Sequence, residues 1–392
     1  MLKLKKLFLL LLIPSAVFSQ NLSLGQGTIN QQNYYEEIDI ELSNNKIIVP
    51  VTIDGKLYKF LLDTGAPNLL SKRVLNEIGT TKTQKINVND ANNNADSLQM
   101  VQIPSIKIGN LNVLDNVALV SDLDNHPILK CFKLDGFIGS NFFRNSILKV
   151  SLKDKKITIT NNVKLLQIKS KPTELKLIGD QKSPYIKISF NNNKKINEDV
   201  LVDTGMDGFY EISNRAYTIF SKEKVFAELS RSYGTAGIGL FGNASMKEQI
   251  MIKSNVLRIN HTSFKNLITM TTDDNNSRIG FDVLRYGDIV IDFINEKFYF
   301  EAEKEVTFDK KPLIYSSTVI DNKYVVGFVW DKAYQDKLNV GDEIIRINDY
   351  NLNKMDLCEI VNLRNTLRDE PSYEMEIKSK DNKTTLINIE SK

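Results

Sequence analysis

The sequence of 392 residues is poor in the side chains that most often build metal centres and nucleophilic active sites. It contains two histidines, two cysteines and one tryptophan. His126 and His261 each lie in a predicted turn, and neither has a partner at the spacing of zinc ligands. A Ser-His-Asp site would have to use one of them, and no nucleophile-elbow sequence accompanies them. We therefore expect no bound metal, no serine-hydrolase chemistry and two histidines in solvated loops.

The two cysteines, Cys131 and Cys358, are separated by more than half of the chain. We place them in different domains, where two lone cysteines are typical of buried free thiols rather than of a disulfide framework. The sequence therefore predicts that they are not bonded to each other.

An excess of charge of one sign is also lacking. The chain has 51 Lys and Arg residues against 48 Asp and Glu residues, and three of the lysines, Lys3, Lys5 and Lys6, lie at the N-terminus. Without that N-terminal segment the chain is neutral, which gives no electrostatic reason to expect a nucleic-acid partner. The glycine-rich residues 234–242 lack the Gly-Lys-Ser/Thr ending of a phosphate-binding loop. We expect no cofactor.

Long apolar runs are absent beyond Gln20. Residues 7–13 are apolar, follow three lysines and precede small residues that end near Ser19. This is the pattern of a secretory signal peptide, and the run is too short for a stable membrane span. We therefore assign residues 1–19 to a signal peptide and expect the mature chain to be exported to the periplasm or to the outside of the cell.

The chain contains one short motif twice. Asp63 and Asp203 each end an apolar run and begin the tripeptide Asp-Thr-Gly. An Ile-Gly signature follows each motif at nearly equal distance, with its glycine at Gly139 in the first copy and at Gly280 in the second. Strand and turn signals recur in the same order, and a serine able to cap a short helix follows each motif. These serines are Ser71 and Ser213. The pattern indicates a duplicated unit that brings two aspartates together.

Two carboxylates held close together cannot both ionise easily, so they share one proton. The charged carboxylate can act as general base for a water, while the protonated one polarises the carbonyl group of a peptide bond. In each motif the glycine allows a sharp turn, and the threonine hydroxyl can brace the loop of the other copy. We predict Asp63 and Asp203 as the catalytic pair. The supporting residues are Thr64, Gly65, Thr204 and Gly205.

Residues 36–303 resemble the retropepsin-like and pepsin-like aspartic proteases. The two Asp-Thr-Gly motifs carry this resemblance, together with Asn141 and Asp282, which follow the glycine of each Ile-Gly signature at the same place. Asp207 matches an acidic residue that many retropepsins have after their motif. The resemblance implies a mostly β, bilobal acid-protease fold with one lobe per aspartate. It also implies an aspartic endopeptidase that acts on a polypeptide or peptide substrate.

The same resemblance divides this part of the chain into two lobes. We place the N-terminal lobe at residues 20–168 and the C-terminal lobe at residues 169–305. Residues 234–242 are glycine-rich enough to form a mobile flap hairpin in the second lobe. Residues 90–96 are the counterpart in the first lobe.

Residues 306–392 resemble a bacterial PDZ domain. Residues 340–348 fit that family's pattern of a hydrophobic residue, Gly and Asp at the start of an apolar strand, and a helical stretch at 355–367 follows. The resemblance implies a small α+β domain that binds chain ends by strand addition. We expect a chain-end ligand at this domain, and we expect the domain to be separable from the two lobes.

A second interpretation stays open, in which the chain is a catalytically inactive peptide-binding protein that uses the cleft and the PDZ-like module. The intact motif in both copies favours the enzyme, because a degenerate binder would be free to lose one aspartate. A structural envelope protein is disfavoured, because a buried carboxylate pair would cost stability without a function.

The signal-peptide assignment predicts that exported protein begins close to Gln20, because cleavage follows the small residues that end near Ser19. Mass-spectrometric sequencing of the mature N-terminus checks this. An exported chain that still carries Met1 would contradict the assignment, and protein found only in the cytosol would contradict the location.

Overall fold

The computed structural model describes residues 21–80, 82–192, 194–367, 370 and 372–390. The predicted signal peptide lies outside these residues. Strands dominate the described chain, which forms 31 strands, three α-helices and seven short 3-10 helices. No helix among these residues is long and apolar enough to cross a membrane. The prediction of a mostly β protein is confirmed.

The first lobe consists of twelve strands and one short α-helix, α1 (Lys72–Ile78). Its strands are β1 (Thr28–Ile29), β2 (Tyr35–Asp39), β3 (Glu41–Ser43), β4 (Lys46–Ile53), β5 (Lys56–Asp63), β6 (Leu69–Ser71), β7 (Thr83–Asn89), β8 (Ala95–Ile108), β9 (Leu111–Ser121), β10 (Gly136–Gly139), β11 (Ile147–Ser151) and β12 (Lys156–Thr160).

The second lobe consists of thirteen strands and one short α-helix, α2 (Asn214–Phe220). Its strands are β13 (Thr173–Ile178), β14 (Ser183–Asn192), β15 (Lys194–Val202), β16 (Tyr210–Ser213), β17 (Phe226–Gly234), β18 (Ile238–Gly239), β19 (Gly242–Asn243), β20 (Lys247–Ile259), β21 (Thr262–Thr272), β22 (Arg278–Ile279), β23 (Gly287–Asp292), β24 (Lys297–Ala302) and β25 (Glu305–Thr307).

The third domain has six strands and the longest of the three α-helices, α3 (Leu357–Leu367). Its strands are β26 (Tyr315–Ile320), β27 (Lys323–Val329), β28 (Glu343–Ile347), β29 (Tyr350–Asn351), β30 (Ser372–Lys378) and β31 (Thr384–Glu390). The 3-10 helices of the described chain are Leu129–Phe132, Ser140–Phe142, Val163–Leu166, Ser221–Glu223, Phe281–Arg285, Lys332–Tyr334 and Leu352–Lys354.

The two lobes repeat one topology. In the first lobe, hydrogen-bonded neighbours run β9-β6-β10-β5-β4-β8, and β8 pairs again with β9, so six strands close on themselves. In the second lobe, the neighbours run β21-β16-β22-β15-β14-β20, and β20 pairs again with β21. The order of the equivalent strands is the same in both rings. The duplication predicted from the two motifs is therefore a duplication of the fold.

A shared sheet joins the lobes. Two strands from near the end of each lobe form this sheet, because β11 pairs antiparallel with β23 while β12 and β24 flank them. Leu148 faces Ile291 and Val150 faces Ile289 in this register, and all four side chains are buried. Apolar strands buried at the centre of a sheet resist separation, so the two lobes form one body.

Short helices start at equivalent places after the two motifs. The Ser71 hydroxyl accepts a hydrogen bond from the Val74 N–H at the start of α1, and the Ser213 hydroxyl accepts one from Ala216 at the start of α2. Gly79 ends α1 with a φ of 66°, a conformation that glycine adopts without strain. The two capping serines are confirmed.

The third domain is bound to the lobes by a disulfide. Cys131 and Cys358 are bonded, with their Cα atoms 5.0 Å apart. The prediction of two free thiols is wrong. Cys131 lies in the 3-10 helix Leu129–Phe132, which contacts α3, and Ile128 packs against both the first-lobe and the third-domain cores. Docking of the domains brings the sulfur atoms together, and their distance in the sequence carries no information about that docking.

The third domain also packs against the second lobe. Met251 of β20 forms a buried cluster with Phe328 and Trp330. The backbones of Gly234 and Gly327 approach so closely that a Cβ atom at Gly234 would lie 2.0 Å from the Gly327 oxygen. This buried interface argues against a third domain that separates easily from the lobes. Its separability stays a prediction.

The boundary between the second lobe and the third domain was predicted at residues 305 and 306. Strand β25 spans that point and pairs with β21, so that Val306 lies opposite Phe264. Phe308 is buried in the lobe, with its ring 5.2 Å from that of Phe209. The second lobe therefore includes residues up to Phe308, and a truncation should spare them.

Loss of the disulfide should destabilise the protein, because it closes a loop of 227 residues that the unfolded chain would otherwise explore. We expect Cys358→Ser to lower the free energy of unfolding by about 2–5 kcal/mol. Urea unfolding of this variant, of Cys131→Ser and of the double variant should give the same loss, and reduced wild-type protein is the matched control. Unchanged stability in all of them would contradict the bond.

Candidate active site

Parallel strand pairs place the two predicted catalytic aspartates. Asp63 is the last residue of β5, and Asp203 directly follows β15. The strands that carry the Ile-Gly signatures lie beside them, with Gly139 opposite Asp63 and Ile279 opposite Val202. Each aspartate therefore stands at the carboxyl end of an apolar strand supported by a second apolar strand.

The threonines of the two motifs hold the aspartate loops together. The Thr64 hydroxyl donates a hydrogen bond of 2.6 Å to the Val202 oxygen, and the Thr204 hydroxyl donates one of 2.8 Å to the Leu62 oxygen. Each hydroxyl also accepts a 3.1 Å hydrogen bond from the backbone N–H of the other threonine. Both side chains are buried. The predicted bracing by Thr64 is thus reciprocal, with each hydroxyl acting as donor and acceptor.

The glycines of the motifs make room for the opposite carboxyl group. A Cβ atom at Gly65 would lie 2.6 Å from Asp203 Cγ, and one at Gly205 would lie 2.5 Å from Asp63 Cγ. No side chain fits at such a distance, so the loops can approach only with glycine at both positions. The structure thereby brings together all six residues that the sequence predicted for the site.

Backbone donors orient the two carboxyl groups in the same way. Asp63 Oδ1 accepts hydrogen bonds from the N–H groups of Gly65 and Ala66, at 3.0 and 3.2 Å. Asp203 Oδ1 accepts from Gly205 and Met206, at 3.0 and 3.1 Å. One oxygen of each aspartate is therefore fixed to its own loop.

The Asp63 carboxyl group keeps its proton unusually well. Burial and the neighbouring Asp203 raise its pKa to about 7, against the opposing charge of Lys46 and the Gly65 N–H. A carboxyl group that stays protonated in mildly acidic water can donate that proton to a developing oxyanion.

Two cations break the symmetry of the site, and sequence reasoning missed both. Arg278 Nη1 lies 3.3 Å from Asp203 Oδ2, and its side chain is 11% exposed. The Lys46 ammonium group bonds to the Gly205 oxygen and to Asp207, both at 2.5 Å. Alignment of the two Ile-Gly signatures could have revealed Arg278, because Phe137 occupies the equivalent position in the first copy. No sequence signal marks Lys46.

Buried asparagines fix the loop after Asp63. Asn141, predicted from the Ile-Gly signature, accepts a 2.7 Å hydrogen bond from the Asn68 N–H through Oδ1. Asn68 Oδ1 accepts from Gly139, and its amide donates to Asn116 Oδ1. In the second lobe, Asp282 occupies the place of Asn141 and pairs with Arg285 at 2.8 Å. Asn68 and Asn116 were not predicted as part of this network.

Hairpins occur where the flaps were predicted. Strands β7 and β8 form one hairpin with its turn at residues 90–94, and β17 and β20 form the other, whose tip contains β18 and β19. The tips touch, since the Phe241 N–H donates a 2.9 Å hydrogen bond to Asp90 Oδ2. The amides of Asn92 and Asn94 donate to the oxygens of Gly242 and Asn243.

His126 takes part in these contacts, and the expectation that it lies in a solvated loop is wrong. It is 8% exposed rather than solvated, and its Nε2 lies 2.9 Å from the Gly239 oxygen. Its Nδ1 accepts hydrogen bonds from the N–H groups of Ile128 and Leu129. Burial lowers the pKa of His126, which favours the neutral ring that this arrangement requires. His261 is exposed in a turn, as expected.

A cluster of His, Cys, Asp or Glu side chains that could hold a metal ion does not occur within the residues that the structure describes. The described carboxyl groups near the dyad face the Arg278 guanidinium instead, because Glu211 and Asp274 both pair with it.

Comparison with known proteins connects the first lobe to a family. Residues 49–142 match the family model described as aspartyl protease. This segment contains Asp63, Asn68 and Asn141, and the match supports protease chemistry. The chain is also similar to the crystal structure of aspartic proteinase from Irpex lacteus, at 12% identity and a TM-score of 0.41, over 69% of this chain and 97% of that chain. No curated protein matches the sequence.

The raised pKa of Asp63 predicts a pH-dependent effect of Asp63→Asn on stability. The folded chain keeps this proton up to about pH 7, whereas the unfolded chain releases it near its usual value of about 4. Ionisation therefore destabilises the fold increasingly between those values, and the variant avoids that loss. We expect its advantage over wild type to grow from near zero at about pH 4 to on the order of 4 kcal/mol at about pH 8.

Urea unfolding at several pH values measures this difference. Asp54→Asn is the matched control, because Asp54 is exposed in a turn with a φ of 50° that asparagine tolerates. An advantage of Asp63→Asn that does not change with pH would contradict the interpretation.

Proposed function

We propose that this protein is an aspartic endopeptidase that hydrolyses peptide bonds with a water activated by Asp63 and Asp203. The observation that carries the proposal is the reciprocal seating of the two aspartate loops, in which each carboxyl group fills the space left by the glycine of the other motif. The threonine hydrogen bonds between the loops support it, because they fix the carboxyl groups at a distance where one proton serves both.

In this mechanism the dyad begins with one proton and one negative charge. The charged carboxylate accepts a proton from the water as the water oxygen attacks the scissile carbonyl carbon, and the protonated carboxyl group donates its proton to the carbonyl oxygen. The tetrahedral intermediate collapses when its carbon–nitrogen bond breaks and the amide nitrogen receives the proton that the water gave to the dyad, while one hydroxyl group of the intermediate returns its proton to the other carboxylate and becomes the new carbonyl. The two carboxyl groups exchange roles, and the starting state returns.

A peptide substrate would bind between the dyad and the two hairpins. In the first lobe, the tip contributes the Asp90 carboxylate and the amides of Asn92 and Asn94. In the second lobe, it contributes backbone groups of Phe241, Gly242 and Asn243. An extended peptide offers the same kinds of donors and acceptors, so it can replace these contacts when the hairpins part.

We propose that the third domain supports the second-lobe hairpin by packing against it. The Gly327 oxygen of β27 accepts a 3.0 Å hydrogen bond from the Thr235 N–H, and the Val329 N–H donates one to the Ser232 hydroxyl. The amide of Asn243 in β19 donates to the Val319 oxygen. These contacts support the base and the tip of the second-lobe hairpin. The PDZ-like module could capture a chain end by strand addition on β27 only by displacing the first two of them.

We further propose that residues 1–19 direct the chain to the periplasm or to the extracellular space. The disulfide between Cys131 and Cys358 supports this, because such bonds persist in oxidising compartments.

The dyad predicts that Asp63→Asn and Asp203→Asn each abolish peptide cleavage, because an amide can neither accept the proton from water nor take its part in the shared proton. We expect a loss on the order of 10³-fold or more in kcat/KM for each, and no further loss in the double variant, since the pair acts as one unit. Hydrolysis of a peptide library across the acidic to neutral range, with and without a statine-type inhibitor, measures this.

Asp54→Asn is again the matched control and should cleave like wild type. Near-full activity in either dyad variant would place the catalytic site elsewhere. A wild-type protein that binds peptides but cleaves none would instead establish the inactive peptide-binding protein.

A further inference from the structure

The two halves of the site differ in one buried cation. Arg278 lies on β22, directly before the isoleucine of the second Ile-Gly signature, and pairs in register with Leu201. In the first lobe, Phe137 stands in the same place and pairs with Leu61. The duplicated scaffold therefore places an arginine beside Asp203. The equivalent position of the first lobe holds a phenylalanine.

We propose that Arg278 is a positioning residue that makes Asp203 the ionised, water-activating member of the dyad and leaves the shared proton on Asp63. The proposal rests on the proposed protease function for its catalytic consequence only. The distribution of charge itself follows from the contacts of the two carboxyl groups.

Those contacts favour the charged form of Asp203. Its Oδ1 accepts two backbone N–H groups, and its Oδ2 accepts the Arg278 guanidinium at 3.3 Å. A guanidinium group is always charged in proteins and offers donors only, so it stabilises a carboxylate more than a protonated carboxyl group. Asp203 is also buried, at 7% exposure, and a buried carboxylate requires such a partner.

Asp63 has the opposite surroundings. Its Oδ1 accepts two backbone N–H groups, but its side chain hydrogen-bonds to Asp203 rather than to a cation. The Lys46 ammonium group is bound to the Gly205 oxygen and to Asp207. Its charge lowers the pKa of Asp63 less than burial and Asp203 raise it. The proton is therefore most stable on Asp63, where it bridges to the Asp203 carboxylate.

The other charges around the pair fit this assignment. Arg278 Nη2 lies 3.1 Å from Glu211 Oε2, and Nη1 lies 3.6 Å from Asp274 Oδ2, so the guanidinium serves three acidic groups. Burial raises the pKa of Tyr185, and the charges of Asp274 and Asp203 raise it further, so this phenol stays neutral. Glu211 and Asp274 hold the guanidinium in place beside Asp203. Burial raises the pKa of Asp274, which favours its neutral form and reduces its competition with Asp203 for the single positive charge.

The division of charge assigns the chemical roles. Asp203 takes the proton from the attacking water, and Asp63 gives its proton to the carbonyl oxygen of the substrate. Because burial and Asp203 raise the pKa of Asp63 to about 7, this state persists from acidic to nearly neutral solution. We therefore expect an activity range that extends to neutral pH and ends where Asp63 ionises.

The test compares Arg278→Met and Arg278→Lys with the full-length wild-type protein. Arg346→Met is the matched control, because Arg346 also pairs with carboxylates, Glu374 and Glu376, but lies in the third domain. The first readout is the pH profile of kcat/KM for an internally quenched peptide. Loss of the guanidinium should move the acidic limb upward by about 1–3 pH units, and the lysine variant should restore most of the wild-type profile.

The second readout needs no catalysis. Carbon-13 labelling of the aspartate carboxyl groups, with Asp63→Asn and Asp203→Asn for assignment, shows by NMR titration which member of the pair holds the proton. We expect Asp203 charged and Asp63 protonated at about pH 5.5 in wild type and in the Arg346 variant, and a more even sharing after Arg278→Met.

A protonated Asp203 in wild type overturns the proposal, as does an acidic limb unmoved by Arg278→Met. Should that variant fail to fold by circular dichroism, the wild-type titration and the lysine variant decide the matter. If the wild type cleaves no peptide, the proposed function falls, and the titration alone then confirms or refutes the role of Arg278.

Discussion

Each aspartate loop of this protein is held by a threonine of the other loop. The hydroxyls of Thr64 and Thr204 donate to Val202 and Leu62, on the strands that end at the opposite aspartates. The bonds are buried, so leaving them unmade would cost about 1–3 kcal/mol per group. The close approach at the two glycines and the distance between the carboxyl groups depend on this contact, because it fixes how the two loops meet.

A symmetric scaffold of this kind would by itself give the two carboxyl groups equal surroundings. Two side chains make the surroundings unequal. Arg278 stands where the first copy has Phe137, and Lys46 of the first lobe binds the Gly205 oxygen of the second. The backbone repeat sets the geometry, and a few charged side chains set the chemistry. The two carboxyl groups thus have unequal surroundings although both copies keep the Asp-Thr-Gly motif.

What could be predicted from the sequence was encoded locally. The motifs, the capping serines and the glycine-rich hairpin each depend on residues close together in the chain, and the nearly equal spacing revealed the repeat. The disulfide, the burial of His126 and the Lys46 contact depend on how separate segments dock, which no local pattern records. Arg278 is an intermediate case. No local pattern marks it, but aligning the two halves of the chain shows an arginine where the first copy has Phe137.

The bond between Cys131 and Cys358 turns most of the molecule into a covalent ring. The whole second lobe and the connection to the third domain lie inside that ring. A single cut in any exposed segment between the two cysteines would open the ring but release nothing, since both fragments remain attached through sulfur. Molecules nicked in this segment therefore keep all of their parts until a reductant separates them.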